Sequence, residues 1–245
     1  MAGSCRLQKL KAGRNGPPIF LMHGVGGPHE IETLGTRLGG EHAVYAPRTE
    51  DIPELRAMAD ATLAAIWTVQ PHGPYLFVGF SFGGFVAIEM ARAVREAGMP
   101  VALLACLDTL VPRRHWPKAE RRAAGAMRLR HYARQLASPG RVAERATRAL
   151  RRQDRSAAAE PSAIEKRCMS ALASYVPHRY PGKIVFFAPR RRIDHRNPLS
   201  LWRGLAGELS VRMVDGDHHS MIAGEVDDLL GQLDDCIAAA LRGGA

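Results

Sequence analysis

The sequence lacks closely spaced cysteines. Its four cysteines are Cys5, Cys106, Cys168 and Cys236, and no C-x-x-C pair occurs among them. This spacing argues against the common structural zinc motifs and against dithiol redox chemistry. We therefore expect four free thiols, with no metal site and no cofactor.

Long apolar runs are also missing. The best run, Val101–Leu107, is far shorter than the roughly 20 residues that a membrane-spanning helix needs. The first 16 residues carry basic side chains but no apolar core of a signal peptide. These absences predict a cytoplasmic protein without a membrane partner.

Acidic residues are scarce in one part of the chain only. The formal net charge is +10, and residues 112–168 contain 16 Lys and Arg against 5 Asp and Glu. The rest of the chain has 18 basic and 19 acidic residues, so the whole excess lies in that segment. A basic surface of this kind favours an anionic partner.

Apolar periodicity predicts strands that alternate with helices. The predicted strands are Pro18–Met22, Ala43–Ala46, Tyr75–Phe80, Val101–Leu107, Lys183–Ala188 and Leu209–Val214. The predicted helices are Glu30–Leu38, Ile52–Gln70, Phe82–Gly98, Leu199–Leu205 and Leu229–Leu241. This order is typical of βαβ units, and it predicts an α/β fold whose mostly parallel sheet is flanked by helices.

The basic segment interrupts this alternation. Residues 112–168, called the insertion below, contain two predicted helices, Ala119–Leu136 and Arg141–Arg152, separated by Pro139-Gly140. A chain of 245 residues fits one α/β domain. We therefore expect a single domain over residues 1–245, with a helical insertion between two of its strands.

One motif carries recognisable chemistry. Gly79-Phe80-Ser81-Phe82-Gly83 matches G-x-S-x-G and lies between a predicted strand and a predicted helix. In the α/β-hydrolase fold this strand–turn–helix context places a nucleophilic serine on a sharp turn above the carboxyl edge of the sheet. The motif therefore predicts that Ser81 is the nucleophile of a serine hydrolase.

A serine hydroxyl needs a general base and an acid that orients it. In this fold the base and the acid lie downstream of the serine. His218 and His219 follow the last predicted strand, and either suits the base. Asp108 ends a strand, whereas Asp194 lies several residues beyond one, beside an arginine run. We favour Asp108 as the acid and keep Asp194 as the alternative.

An oxyanion hole needs two backbone donors. One should be the N–H of Phe82, which follows the nucleophile, and the other should come from the loop His23-Gly24-Val25-Gly26-Gly27. Val25 is the favoured donor in that loop. The loop lacks the Lys-Ser/Thr of a P-loop and the G-x-G-x-x-G spacing of a dinucleotide site.

Several stretches resemble the thioesterase domains that end nonribosomal peptide and polyketide synthetases. The matching stretches are residues 18–27, 70–75, 79–84, 87–92, Leu107-Asp108-Thr109, Tyr180-Pro181-Gly182-Lys183 and Gly216-Asp217-His218. The resemblance implies that Asp108 is the acid and His218 the base, and it leaves His219 without a role in the triad. It also implies that the insertion is the helical lid of the family.

The resemblance further implies a substrate and a partner. The substrate would be an acyl or peptidyl chain held as a thioester on the phosphopantetheine arm of a carrier protein, and release could occur by hydrolysis or by cyclisation. Because such carriers are usually acidic, a basic lid could steer them. A carboxylesterase or lipase and an acyl transferase remain alternatives. A nucleic-acid-binding protein is disfavoured, because the insertion has only two aromatic residues other than histidine, Trp116 and Tyr132.

Overall fold

A computed structural model describes residues 4–136, 161–192 and 199–243. Within these ranges, seven strands form one sheet, with helices on both faces. The strands are β1 (Ser4–Lys11), β2 (Ile19–Met22), β3 (Val44–Glu50), β4 (Tyr75–Phe80), β5 (Val101–Leu107), β6 (Tyr180–Pro189) and β7 (Ala206–Val214). The α-helices are α1 (Glu32–Arg37), α2 (Leu55–Trp67), α3 (Phe82–Glu96), α4 (Lys118–Leu136), α5 (Ala163–Ser174), α6 (Ser200–Leu205) and α7 (Val226–Arg242). Short 3-10 helices lie at Pro28–Ile31, Arg113–His115 and Ser220–Ile222.

The strand order is β1-β3-β2-β4-β5-β6-β7. β1 runs antiparallel to β3, and each of the other neighbouring pairs is parallel. The sequence prediction of a mostly parallel sheet is therefore confirmed. β2 pairs with β3 on one side and with β4 on the other. The connection from β2 to β3 therefore runs toward one edge of the sheet, whereas the connections from β3 onward run toward the other edge. Ligands of open α/β sheets bind at the carboxyl ends of the strands beside such a reversal.

The core lies on both faces of the central strands. Every residue of β4 is buried, and its side chains alternate between two apolar clusters. Phe77 joins the cluster beneath α2, α3 and α6, whereas Val78 joins the cluster beneath α1 and α7. A strand that is covered on both faces must be apolar throughout, which explains why β4 and β5 were readable from the sequence alone.

Two elements differ from the sequence prediction. β1 was not predicted, and it pairs with β3 at the edge of the sheet. α5 was also not predicted, although Ser162 caps its first turn by accepting a hydrogen bond from the Glu165 N–H at 3.1 Å. The predicted helix Arg141–Arg152 lies outside the described residues.

Within the described residues 4–136, 161–192 and 199–243, no helix is both long enough and apolar enough to cross a membrane.

Candidate active site

Ser81 occupies the turn between β4 and α3. Its backbone has φ 51° and ψ −116°, a region that residues other than glycine rarely adopt. The Ser81 N–H donates a hydrogen bond to the Leu107 carbonyl at 2.9 Å, which ties the turn to the end of β5. Only 9% of the residue is exposed. The strained turn thus holds the serine hydroxyl at the carboxyl edge of the sheet.

Two glycines leave the space that this turn requires. A Cβ at Gly79 would lie 2.4 Å from the Gly83 carbonyl oxygen. A Cβ at Gly83 would lie 2.5 Å from the carbonyl oxygens of both Met22 and His23. Because these neighbours are backbone atoms, a larger residue would push α3 away from β2. The two glycines therefore set the close approach of α3 to the loop that follows β2.

Asp108 and His218 are hydrogen-bonded to each other. The His218 Nδ1 lies 2.8 Å from the Asp108 Oδ2, across 110 residues of sequence. An ionised carboxylate only accepts hydrogen bonds, so Nδ1–H is the donor and Nε2 of the neutral ring is free to accept a proton. The Asp108 side chain is 7% exposed and the His218 side chain 25%. A buried carboxylate in this position stabilises the charged imidazole.

The backbone around Asp108 is fixed by the sheet. Asp108 has φ 38°, and its N–H donates to the Phe187 carbonyl of β6 at 2.9 Å. The His218 ring packs on the Phe80 ring, with centroids 4.9 Å apart. Phe80 and Asp108 therefore both hold the His218 ring, Phe80 by a ring contact and Asp108 by a hydrogen bond.

The turn that carries His218 is organised by Asp217. The Asp217 carboxylate accepts hydrogen bonds from the N–H groups of Ser220 at 3.0 Å and His219 at 3.1 Å, and the Asp217 N–H donates to the Ser220 Oγ at 2.8 Å. The bond from the Ser220 N–H contributes most to a pKa of Asp217 below its usual range. The turn is therefore held by a carboxylate that stays ionised.

Arg191 clamps the same turn from outside. Its guanidinium donates to both carboxylate oxygens of Glu225 and to the Ser220 Oγ. The Arg191 N–H also donates to the Gly216 carbonyl at 3.0 Å. Sequence reasoning assigned no role to this arginine, because its partners lie 25 to 34 residues downstream. A bidentate Arg–carboxylate pair gives this contact a defined geometry.

The two backbone groups predicted for the oxyanion hole lie at the ends of neighbouring strands. β2 and β4 are paired up to Met22 and Gly79, so the loops that follow them leave the sheet side by side. Phe82 begins α3, and the first turn of an α-helix leaves N–H groups without intrahelical acceptors. Val25 lies in the loop after β2 and packs against the apolar core.

His23 is neutral at the start of that loop. Its Nδ1 lies 2.7 Å from the Gly24 carbonyl oxygen, to which it donates as Nδ1–H. Burial lowers the pKa of His23 below its usual value. The residue therefore acts as a half-buried hydrogen-bond donor within the loop.

The remaining sequence predictions concern His219, Asp194, the cysteines and metal binding. The His219 ring lies edge-on to the His218 ring, with centroids 4.9 Å apart. The alternative acid Asp194 lies outside the described residues. All four cysteines are free, as expected. Among residues 4–136, 161–192 and 199–243, no cluster of three His, Cys, Asp or Glu side chains could hold a metal ion.

Comparison with known sequences finds one family model and several related proteins. The thioesterase domain family matches residues 17–237. The dimodular nonribosomal peptide synthase of Bacillus subtilis (strain 168) is 28% identical over 206 residues, which cover 74% of this chain and 8% of the synthase. Enterobactin synthase component F of Escherichia coli (strain K12) is 32% identical over 115 residues, covering 43% of this chain and 9% of that protein. The chain thus spans less than a tenth of either relative.

Solved structures share the fold. The NocB thioesterase domain, in covalent complex with a fluorophosphonate nocardicin G analog, superposes with a TM-score of 0.61 at 23% identity, covering 93% of this chain and 95% of the other. The wild-type Vlm2 thioesterase domain gives a TM-score of 0.65 at 19% identity, covering 95% and 98%. These likenesses confirm the α/β-hydrolase fold that was expected from the strand order and from the turn at Ser81. Because the family match extends over most of the chain, this protein belongs to the thioesterase domain family.

Proposed function

We propose that this protein is a serine thioesterase that releases an acyl or peptidyl chain from the phosphopantetheine arm of a carrier protein. Ser81 is the nucleophile, His218 the general base and Asp108 the acid that orients it. The observation that carries this proposal is the 2.8 Å hydrogen bond between Asp108 and His218, at the sheet edge where the strained turn presents Ser81.

The chemistry has two stages. Nε2 of His218 takes the proton of Ser81 as its Oγ attacks the thioester carbonyl, and the N–H groups of Val25 and Phe82 stabilise the oxyanion. The tetrahedral intermediate collapses, the C–S bond breaks, and His218 returns the proton to the departing thiolate. An acyl-Ser81 ester remains.

The second stage releases the acyl group. His218 removes a proton from an incoming nucleophile, which attacks the ester, and then protonates Ser81 Oγ as the C–O bond breaks. Water as the nucleophile gives a free acid, whereas an amine or hydroxyl of the same chain gives a ring. The Vlm2 domain, a structural neighbour, has been captured with a dodecadepsipeptide bound, which supports a peptidyl substrate class for this fold.

We also propose that residues 112–168 form the lid of a single domain that spans residues 1–245. In the sequence, α4 and α5 lie between β5 and β6, so the chain enters the insertion from the carboxyl end of β5. Ile164 of α5 lies against Gly27, since a Cβ built on Gly27 would be 3.4 Å from the Ile164 Cγ2. Arg167 of α5 donates to the Thr49 carbonyl at 3.5 Å. These contacts place α5 beside the loop after β2.

The described part of the insertion has the charge that an acidic carrier would need. Its exposed basic residues on and just before α4 are Arg113, Arg114, Lys118, Arg121, Arg122, Arg128 and Arg130. Opposite charges on two partners raise the rate of encounter, and salt weakens the effect. An acidic carrier and its phosphate would therefore meet this surface before the thioester reaches Ser81.

Active-site labelling tests the catalytic assignment. Wild-type protein should react with a fluorophosphonate at Ser81, as the NocB domain forms a covalent complex with such a compound. Ser81→Ala should abolish labelling, and His218→Ala should slow it strongly. Ser200→Ala, at an exposed serine that begins α6, is the matched control and should still be labelled. Absence of labelling in the folded wild-type protein would refute the serine mechanism.

Substrate comparison tests the partner. We expect a higher kcat/KM for an acyl-pantetheine thioester than for the matching p-nitrophenyl ester; the reverse order would favour an esterase. Reversing Arg121, Arg122 and Arg130 to Glu should reduce turnover of the carrier-bound thioester at least tenfold and leave the pantetheine thioester unchanged. Equal losses on both substrates would refute docking on the insertion.

A further inference from the structure

Glu30 lies directly against the loop that carries Val25. It belongs to the 3-10 helix Pro28–Ile31, just after the loop. A Cβ built on Gly24 would be 2.6 Å from the Glu30 Oε2, and a Cβ built on Gly26 would be 2.4 Å from Oε1. These two glycines flank Val25, so the carboxyl group fills the space on one side of the loop. The close contact explains why both positions are glycine.

The carboxyl group also makes a directional contact with the loop. The Gly26 N–H hydrogen-bonds to it. Among the described residues the Glu30 Oε2 is buried and has no hydrogen-bond partner. Leaving a buried acceptor unpaired costs stability, and a methionine would fill much of the same space without that cost. Folding alone therefore gives no reason for a carboxyl group at this position.

Glu30 is a half-buried titratable group. The titratable groups that face it are His29 of its own helix, His218 and His219 of the turn after β7, and Cys168 of α5. Burial raises the pKa of the Glu30 carboxyl above its usual value, and the Gly26 N–H and the three histidines partly oppose that rise.

We propose that Glu30 is a positioning residue for the thioesterase reaction. Its carboxyl group lies against Gly24 and Gly26, and it thereby holds the loop that presents the Val25 N–H to the oxyanion. The inference rests on the proposed function, because Val25 is assigned its role there.

Two substitutions test this role. Glu30→Gln keeps an oxygen that can accept from the Gly26 N–H, whereas Glu30→Met fills much of the same space without an acceptor. For Glu30→Gln we expect a kcat near that of the wild type. For Glu30→Met we expect a kcat about tenfold lower with little change in KM, because a misplaced oxyanion donor weakens the transition state more than the substrate complex.

Kinetics with an acyl-pantetheine thioester from pH 5 to 9 provide the measurement, with thermal unfolding recorded for each variant. Glu32→Gln, an exposed glutamate on α1, is the matched control and should follow the wild-type profile. A folded Glu30→Met with wild-type kcat would overturn the inference. Gly26→Ala displaces the carboxyl group without removing it, because its Cβ would lie 2.4 Å from the Glu30 Oε1, and it should lower kcat as well. Wild-type kcat in Gly26→Ala would overturn the inference even if Glu30→Met fails to fold. If wild-type protein neither labels at Ser81 nor turns over the thioester, the proposed function itself fails; normal labelling with unchanged Glu30 variants removes this inference alone.

Discussion

Replacing Asp108 with asparagine removes the charge that faces His218 and leaves the fold intact. Asparagine tolerates the positive φ of 38° at this position better than most residues, so the backbone should not move. The asparagine amide can instead donate to Nδ1, and that arrangement selects the ring tautomer with a proton on Nε2. That tautomer cannot accept a proton from Ser81.

The structure gives the size of the effect. At a separation of 2.8 Å, an ion pair between Asp108 and protonated His218 is worth about 6 kcal/mol at an effective dielectric constant of about 20. His218 is one quarter exposed, so water screens part of this energy. If about half remains, at about 1.4 kcal/mol per tenfold change in rate, kcat falls about 10²-fold from charge alone. The unfavourable tautomer extends the expected loss to about 10⁴-fold.

The assay is steady-state hydrolysis of an acyl-pantetheine thioester, together with the rate of fluorophosphonate labelling. Both rates should fall, while urea unfolding shows a native variant. Asp215→Asn is the matched control, because Asp215 is an exposed carboxylate near the same turn, paired with Arg190; it should retain activity within about twofold, as expected for a surface pair. Wild-type kinetics in Asp108→Asn would refute the assignment and would direct the same substitution to Asp194.

Two further predictions concern stability. Burial lowers the pKa of His23, so the unfolded state binds a proton more readily; the free energy of unfolding should be fully maintained above about pH 6.5 and decline below it. His23→Gln should flatten that decline in urea titrations, unlike His72→Gln at an exposed site, and an unchanged slope would contradict a neutral His23 in the folded state. Gly83→Ala should cost about 1–3 kcal/mol and lower kcat, because its Cβ meets the Met22 carbonyl at 2.5 Å. Gly231→Ala in α7, where nothing lies within 4 Å of the added Cβ, should stabilise by about 0.5–1 kcal/mol; equal effects at the two sites would show that the close approach at Gly83 is unimportant.

Sequence patterns predicted the central strands that the core covers on both faces. β4 and β5 begin and end where the apolar runs do, because both of their faces are buried. β1 gave no such signal, since it lies at the edge of the sheet with mostly half-buried or exposed residues. α5 was missed although Ser162 and Glu165 have the spacing of a capping box, a pattern that indicates a helix start.

The site divides in the same way. The turn at Ser81 follows from the order of elements, which also favours Asp108 over Asp194 because Asp108 directly ends a strand. That order leaves His218 and His219 equivalent, and the resemblance to synthetase thioesterase domains selects His218. Arg191 and Glu30 could not be found from the sequence. Their roles depend on contacts between loops that meet only after the sheet has formed, and no local pattern marks them.

The pairing of β2 with β4 has a consequence for how this site can vary. The N–H groups proposed for the oxyanion hole, those of Val25 and Phe82, belong to the segments that follow two strands sharing one ladder, from Ile19 opposite Leu76 to Met22 opposite Gly79. Because the two strands are hydrogen-bonded neighbours, backbone pairing sets where both segments begin, and contacts such as that of Glu30 then hold the loop after β2. The described residues of the insertion, 112–136 and 161–168, lie outside that ladder. If the proposed function holds, changes of length and sequence there can alter which acyl chains reach Ser81 and leave the pairing of β2 with β4 intact.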